Sequence, residues 1–79
     1  MKKITVYSTP TCVYCTMAKN FFTKNNFEYV EHNVADDLQA RQEMVNKSHQ
    51  LGVPVIDIDG EVFVGFDKSA ISTALGIKE

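Results

Sequence analysis

Apolar and polar positions divide this chain into seven segments with distinct periodicities. Lys3 to Tyr7 is rich in β-branched and aromatic residues and runs into Ser8-Thr9-Pro10-Thr11, which predicts a strand that delivers the chain through a turn to a helix. From there Val13, Tyr14, Met17, Ala18, Phe21 and Phe22 recur at helical spacing, with Lys19 and Lys24 toward the C-terminal end. Asn25-Asn26 offers a left-handed stop, so a helix of about three turns is expected, with Met17, Phe21 and Phe22 in the core. Phe27 to Val34 alternates imperfectly and predicts a second strand, after which Asp36 or Asp37 can cap a helix carrying Leu38, Arg41, Met44 and Val45. Two strands joined through a helix imply a parallel pair with a right-handed crossover. Val53-Pro54-Val55-Ile56-Asp57-Ile58 and Glu61-Val62-Phe63-Val64 then flank Asp59-Gly60, the strongest short signal for a tight hairpin. Asp67 can cap a last helix whose Ala70, Ile71, Ala74 and Leu75 face inward and which Gly76 ends. The expected class is therefore α/β, in the order β-α-β-α-β-β-α.

Size narrows the picture: 79 residues make one small domain, spanning 1–79, near the lower limit at which a hydrophobic core alone supports folding. Met1-Lys2-Lys3 imitates the charged head of an export signal, but Ile4-Thr5-Val6-Tyr7 is too short an apolar run to complete one, so a cytoplasmic protein is expected. No segment has the apolar length to span a bilayer. A formal net charge of −2 without a lysine or arginine cluster argues against nucleic acid and anionic membrane as partners.

The candidate chemistry lies in Cys12-Val13-Tyr14-Cys15, at the corner where the first strand gives way to the first helix. Cysteines one helical turn apart have Cα atoms about 5–5.5 Å apart, inside the window a disulfide tolerates. The pair can therefore cycle between dithiol and disulfide with little backbone movement. Unpaired N–H groups and positive dipole charge at the helix start favour a thiolate at Cys12, which is accessible there, while Cys15 lies deeper and acts second. A permanent bridge would close too short a loop to add much stability, and a reducing cytoplasm disfavours one. Structural zinc normally takes four ligands, and beyond the cysteines the chain offers only His32 and His49. No metal site is expected, and neither histidine is assigned a catalytic role.

A Cys-x-x-Cys after the first strand of such a unit is a thioredoxin-like redox signature. Three elements make the chain resemble a glutaredoxin over nearly its full length. Cys12-Val13-Tyr14-Cys15 is similar to that family's Cys-Pro-Tyr-Cys with Val13 in place of proline, Gly52-Val53-Pro54 to its Thr-Val-Pro, and Val64-Gly65-Phe66-Asp67-Lys68 to its Gly-Gly-x-Asp-Asp. The resemblance implies a thioredoxin fold, a four-stranded mixed sheet flanked by three helices, and a monomeric oxidoreductase with a redox-active disulfide. Its roles would be electron transport and cell redox homeostasis, through reduction of disulfide-containing proteins or glutathione mixed disulfides.

The same resemblance implies a cis Val53-Pro54 bond beside the cysteines, with the Val53 backbone free to pair with an extended substrate. Glutathione would serve as co-substrate, with no bound cofactor: Tyr14 flanking its thiol, Gly65, Phe66 and the following helix start binding its γ-glutamyl carboxylate, and Asp67 accepting from its α-amino group. Arg41 and Gln39 are weak candidates for its glycine carboxylate, and a solvated face is the better account of both. Thr9 stands where glutathione-dependent members often carry lysine, and only Gly65 and Asp67 remain of the paired glycines and aspartates. Gly65-Phe66 is similar instead to the glutaredoxin-like hydrogen donors of ribonucleotide reductase, which take electrons from thioredoxin reductase. A third role, an iron–sulfur cluster carrier, would use one cysteine from each of two chains and external glutathione, because four thiolates are needed.

Overall fold

A computed structural model describes residues 3–77. Its elements are β1 (Ile4–Ser8), α1 (Val13–Lys24), β2 (Val30–Asn33), α2 (Leu38–Ser48), β3 (Val55–Ile58), β4 (Glu61–Val64) and α3 (Lys68–Leu75). The four strands form one mixed sheet in the order β2-β1-β3-β4. β1 runs parallel to β2, and β3 is antiparallel to both β1 and β4. This is the thioredoxin-like arrangement that the resemblance implied.

Alternation along the strands sends successive side chains to opposite faces. Ile4 and Val6 of β1 join Ile56 and Ile58 of β3, Ala18 and Phe22 of α1 and Ile71 of α3 in one buried cluster. Tyr7 and Val55 point the other way and meet Val34 together with Ala40 and Met44 of α2. Two helices thus cover one face and a single helix the other. Burying each of these large side chains contributes about 1.5–3 kcal/mol, offset by the entropy of ordering the chain.

Local signals set most boundaries. Asp37 caps α2 by accepting from the Ala40 N–H at 3.0 Å, and Asp67 caps α3 by accepting from the Ala70 N–H at 3.1 Å. Asp59 and Gly60 both take positive φ, the conformation of a tight hairpin turn. Asn26 at φ 62° follows the end of α1, and Gly76 at φ 73° ends α3.

Some expectations are corrected. β2 is shorter than the Phe27–Val34 run, because the Phe27 N–H is already bonded to the Phe22 carbonyl and pairing with β1 starts only where Val30 meets Thr5. Met17 is 46% exposed rather than core, since α1 buries the stripe Cys15, Ala18 and Phe22 and turns Val13, Tyr14 and Met17 outward. Phe21 is half-buried between these faces, in edge contact with Phe66, its ring centroid 5.7 Å away. Leu38 is exposed at the start of α2. In α3, Ile71 is buried as expected but so is Ser72, while Ala70, Ala74 and Leu75 are half-buried.

A polar contact outside the sequence reading ties the end of α2 to the sheet. Lys47 Nζ donates to the Tyr7 hydroxyl at 2.9 Å and to Asp57 Oδ2 at 2.8 Å, with the Lys47 and Asp57 side chains 37% and 14% exposed. Burial alone would raise the Asp57 carboxyl, but Lys47 and the Gly60 N–H outweigh it and hold it below its ordinary value. The same bonds, from Asp57 first and Tyr7 second, raise the Lys47 ammonium above its ordinary range. Asp57 thus adds stability above its unfolded pKa of about 4, lost as pH falls through the lower folded value. Lys47 adds stability below its unfolded pKa, lost as pH rises through the higher folded one, so the pair persists across neutral pH. Asp57→Asn is expected to cost about 1 kcal/mol near neutrality, solvent screening of Lys47 keeping the figure small. It should also flatten the acid limb of a stability–pH curve from urea unfolding; an unchanged acid limb would count against this account.

Candidate active site

The pairing register gathers the sequence-predicted residues at one edge of the sheet. Ser8, the last residue of β1, lies opposite Asn33 of β2, while Tyr7 lies opposite Val55, the first residue of β3. Val55 in turn lies opposite Val64, the last residue of β4. The turn carrying Cys12, the Val53-Pro54 segment and the Gly65-Phe66-Asp67 segment therefore leave neighbouring strands, spaced about 4.8 Å apart, at the same end.

Cys12 is the N-cap of α1, just outside the helix rather than within its first turn. Its backbone is extended (φ −87°, ψ 110°), and its Sγ accepts from the Cys15 N–H at 3.1 Å. Sulfur thereby fills the place of the usual Ser or Asp oxygen at a helix N-cap. A disulfide joins Cys12 to Cys15 with the Cα atoms 5.2 Å apart, close to the separation expected from one helical turn. The two are unequal in access: Cys12 is half-buried, whereas Cys15 has no exposed surface.

Tyr14 is 62% exposed and shares an open, apolar face of α1 with Val13 and Met17. Val53 is partly buried, and its bond to Pro54 is cis, as the resemblance implied. Pro54 is buried, and its carbonyl accepts from the Gly65 N–H at 2.8 Å, which locks the β4–α3 turn against the segment before β3. Gly65 needs to be glycine for its φ of 79° and not for space, since nothing lies within 4 Å of where a Cβ would be. Phe66 turns onto Phe21, and Asp67 is exposed with Oδ1 engaged in its cap. Arg41 and Gln39 are exposed on α2, and Arg41 lines a cleft of about 340 Å³ with Leu38, Gln42, Val45 and Leu51. A roomier cleft of about 370 Å³, lined by Lys3, Ile4 and residues 25–30, opens at the far end of β1 and brings no reactive side chains together.

One group beside the site had no sequence signal. Glu31 of β2 accepts from Lys19 Nζ at 2.6 Å and from Ser8 Oγ at 2.7 Å, bonds that hold its carboxyl below the ordinary range. These residues are 12 and 23 positions apart from Glu31 in sequence, and the pairing of β2 with β1 together with the placement of α1 brings them together. His32 stacks on Tyr7 at 5.5 Å, and His49 ends α2 in a left-handed conformation.

Residues 4–63 match the family model described as Glutaredoxin. The chain belongs to the glutaredoxin family. Its membership carries the class of thiol–disulfide oxidoreductases. An uncharacterized glutaredoxin-like 8.6 kDa protein in the rubredoxin operon of Clostridium pasteurianum is 50% identical over 68 residues, which is 86% of this chain and 91% of the relative. Glutaredoxin 3 of Escherichia coli strain K12 is 30% identical over 67 residues, covering 85% and 81% of the two chains. Among solved structures, a mutant of the thioredoxin-like protein BC3987 superposes with a TM-score of 0.91 at 37% identity, over 99% of this glutaredoxin-family chain and all of its own.

The cap that Asp67 gives α3 can be measured by itself. Asp67→Ala removes the α3 cap and should lower stability by about 1 kcal/mol, whereas Asp67→Asn keeps a competent cap and should stay within a few tenths. Urea unfolding of both variants checks this, and equal losses would show that the cap contributes nothing specific.

Proposed function

We propose that this protein reduces protein disulfides and glutathione mixed disulfides, with Cys12 as the attacking thiol and Cys15 as the resolving thiol. The observation that carries this reading is the asymmetry of the pair, a partly exposed cysteine at the helix N-cap beside a fully buried one. In the reduced protein a Cys12 thiolate would accept the same Cys15 N–H and lie at the positive end of a twelve-residue helix. It attacks one sulfur of the substrate, forming a mixed disulfide and expelling the other sulfur as a thiolate. Cys15, once deprotonated, attacks Cys12 Sγ, closing the Cys12–Cys15 bond and expelling the second substrate thiolate. Two electrons pass from dithiol to substrate, and each departing thiolate takes up a proton. Burial of Cys15 restricts it to the second step.

Glutathione is the co-substrate on this reading, and no bound cofactor takes part. The Val53 backbone pairs with the cysteinyl unit of a tripeptide or with an extended protein segment. The start of α3 receives the γ-glutamyl carboxylate, and Asp67, with Oδ2 left over from its cap, accepts from the α-amino group. Tyr14, exposed one residue before Cys15, flanks the bound thiol. A second reading has the oxidised protein recharged by thioredoxin reductase and serving ribonucleotide reductase. The open face of Val13, Tyr14 and Met17 favours it, since a protein donor can cover apolar surface, as does Thr9 at the position where lysine would bind a carboxylate.

Cys12→Ser is expected to abolish all turnover. Cys15→Ser should block dithiol chemistry while sparing removal of glutathione from a mixed disulfide. Supplying the oxidised protein with glutathione plus its reductase, or with thioredoxin reductase, and following NADPH loss separates the two electron sources. Wild-type rates in Cys12→Ser would overturn the mechanism.

A further inference from the structure

The segment from the end of α2 to Pro54 contains a contact that neither the resemblance nor the fold requires. The side-chain amide of Gln50 holds both polar backbone groups of Gly52: the Gly52 N–H donates to Oε1 at 2.8 Å, and Nε2 donates to the Gly52 carbonyl at 3.0 Å. One side chain thus supplies both hydrogen bonds that a neighbouring strand would offer to one residue of an antiparallel pair. Gly52 permits this through space and not through φ, which is outside the left-handed region. A Cβ at position 52 would fall 2.6 Å from Gln50 Oε1, so any other residue there displaces the amide.

The clamp is anchored on α2. His49 ends the helix in a left-handed conformation with its N–H bonded to the Val45 carbonyl at 2.7 Å. Ser48 Oγ lies 2.7 Å from the Met44 carbonyl and 3.1 Å from that of Gln50. On the other side Pro54 is fixed by its bond from Gly65. Between these two anchored points lies Val53, whose own N–H and C=O have no partner among the described residues.

We propose that Gln50 is a positioning residue for disulfide exchange: through Gly52 it holds Val53 as a one-residue stub of strand, ready to pair with the main chain of a peptide substrate. This deepens the reading above and rests on it. Because the amide occupies the polar groups of Gly52, main-chain recognition is confined to Val53, which favours tolerance of the residues flanking the substrate cysteine. Without the clamp, Val53 must be ordered during binding, and the cost appears in affinity rather than in bond exchange. A small disulfide with no peptide groups does not register the difference.

The test follows single turnovers of the dithiothreitol-reduced, desalted protein with either of two substrates in excess, a single-cysteine peptide carried as its mixed disulfide with 2-mercaptoethanol or hydroxyethyl disulfide, and takes the half-saturating concentration as KM and the limiting exchange rate as kcat. Gln50→Ala should raise KM for the peptide about tenfold, as for loss of one to two net hydrogen bonds, with kcat within about twofold. Hydroxyethyl disulfide kinetics should be unchanged. Gln50→Glu, which accepts from the Gly52 N–H but cannot donate to its carbonyl, should fall between wild type and Gln50→Ala. Gly52→Ala should match Gln50→Ala, and the double variant should be no worse than either, because both changes remove one clamp. Amide exchange at Gly52 should accelerate in Gln50→Ala. An unchanged peptide KM, equal losses on both substrates, or additive losses in the double variant would overturn the proposal. Failure of the wild-type protein to reduce hydroxyethyl disulfide would instead overturn the disulfide-exchange reading beneath it.

Discussion

The antiparallel pairing of β3 with β1, with Tyr7 opposite Val55, is the constraint on which the reactive edge of this protein depends. It brings the start of β3 to the end of the sheet where β1 stops, and the second antiparallel step, Val55 opposite Val64, returns the end of β4 there too. Three segments distant in sequence thus emerge from adjacent strands at one edge. A shift of one residue would reverse the faces of Val55 and Ile56, placing each on the wrong cluster, so the two packed faces hold the register that assembles the site.

The same edge concentrates backbone groups with special duties. Cys12 caps α1 with sulfur, Asp67 caps α3 with a carboxylate, Pro54 receives the Gly65 N–H, and Gln50 satisfies Gly52. Each anchors main chain where a loop meets a helix or a strand, places at which N–H and C=O groups would otherwise need water. The Val53 main chain, which has no partner among the described residues, is then informative. The two glycines show that one residue type answers different needs: Gly65 accommodates a positive φ, and Gly52 makes room for an amide.

Much of the fold was legible because its signals are local. The Asp59-Gly60 turn, the Asp37 and Asp67 caps and the Gly76 stop act over a few residues and appear where the chain predicts them. The 3.6-residue period locates α1 but overstates its buried stripe, since Met17 and Phe22 both fit an apolar face and only packing selects Phe22. Phe27 and Tyr29 read as strand because they are aromatic, yet they pack against the cluster under α1 from outside the sheet. The Lys47–Asp57 and Lys19–Glu31 pairs carried no signal at all, because a charged residue in sequence reads equally as solvated surface or as half of a pair.

By itself the sequence determined the element order, the turns and caps, and a dithiol pair one helical turn apart, all properties of neighbouring residues and of their backbone preferences. The tertiary structure alone decided that Met17 turns outward to share an open face with Tyr14, that Lys47 reaches Tyr7 and Asp57 from α2, and that Gln50 closes onto Gly52 beside Val53, whose main chain has no partner among the described residues. Accessibility and hydrogen-bond partnership depend on which surfaces other segments cover, and that is set by strand register and helix packing rather than by any local pattern.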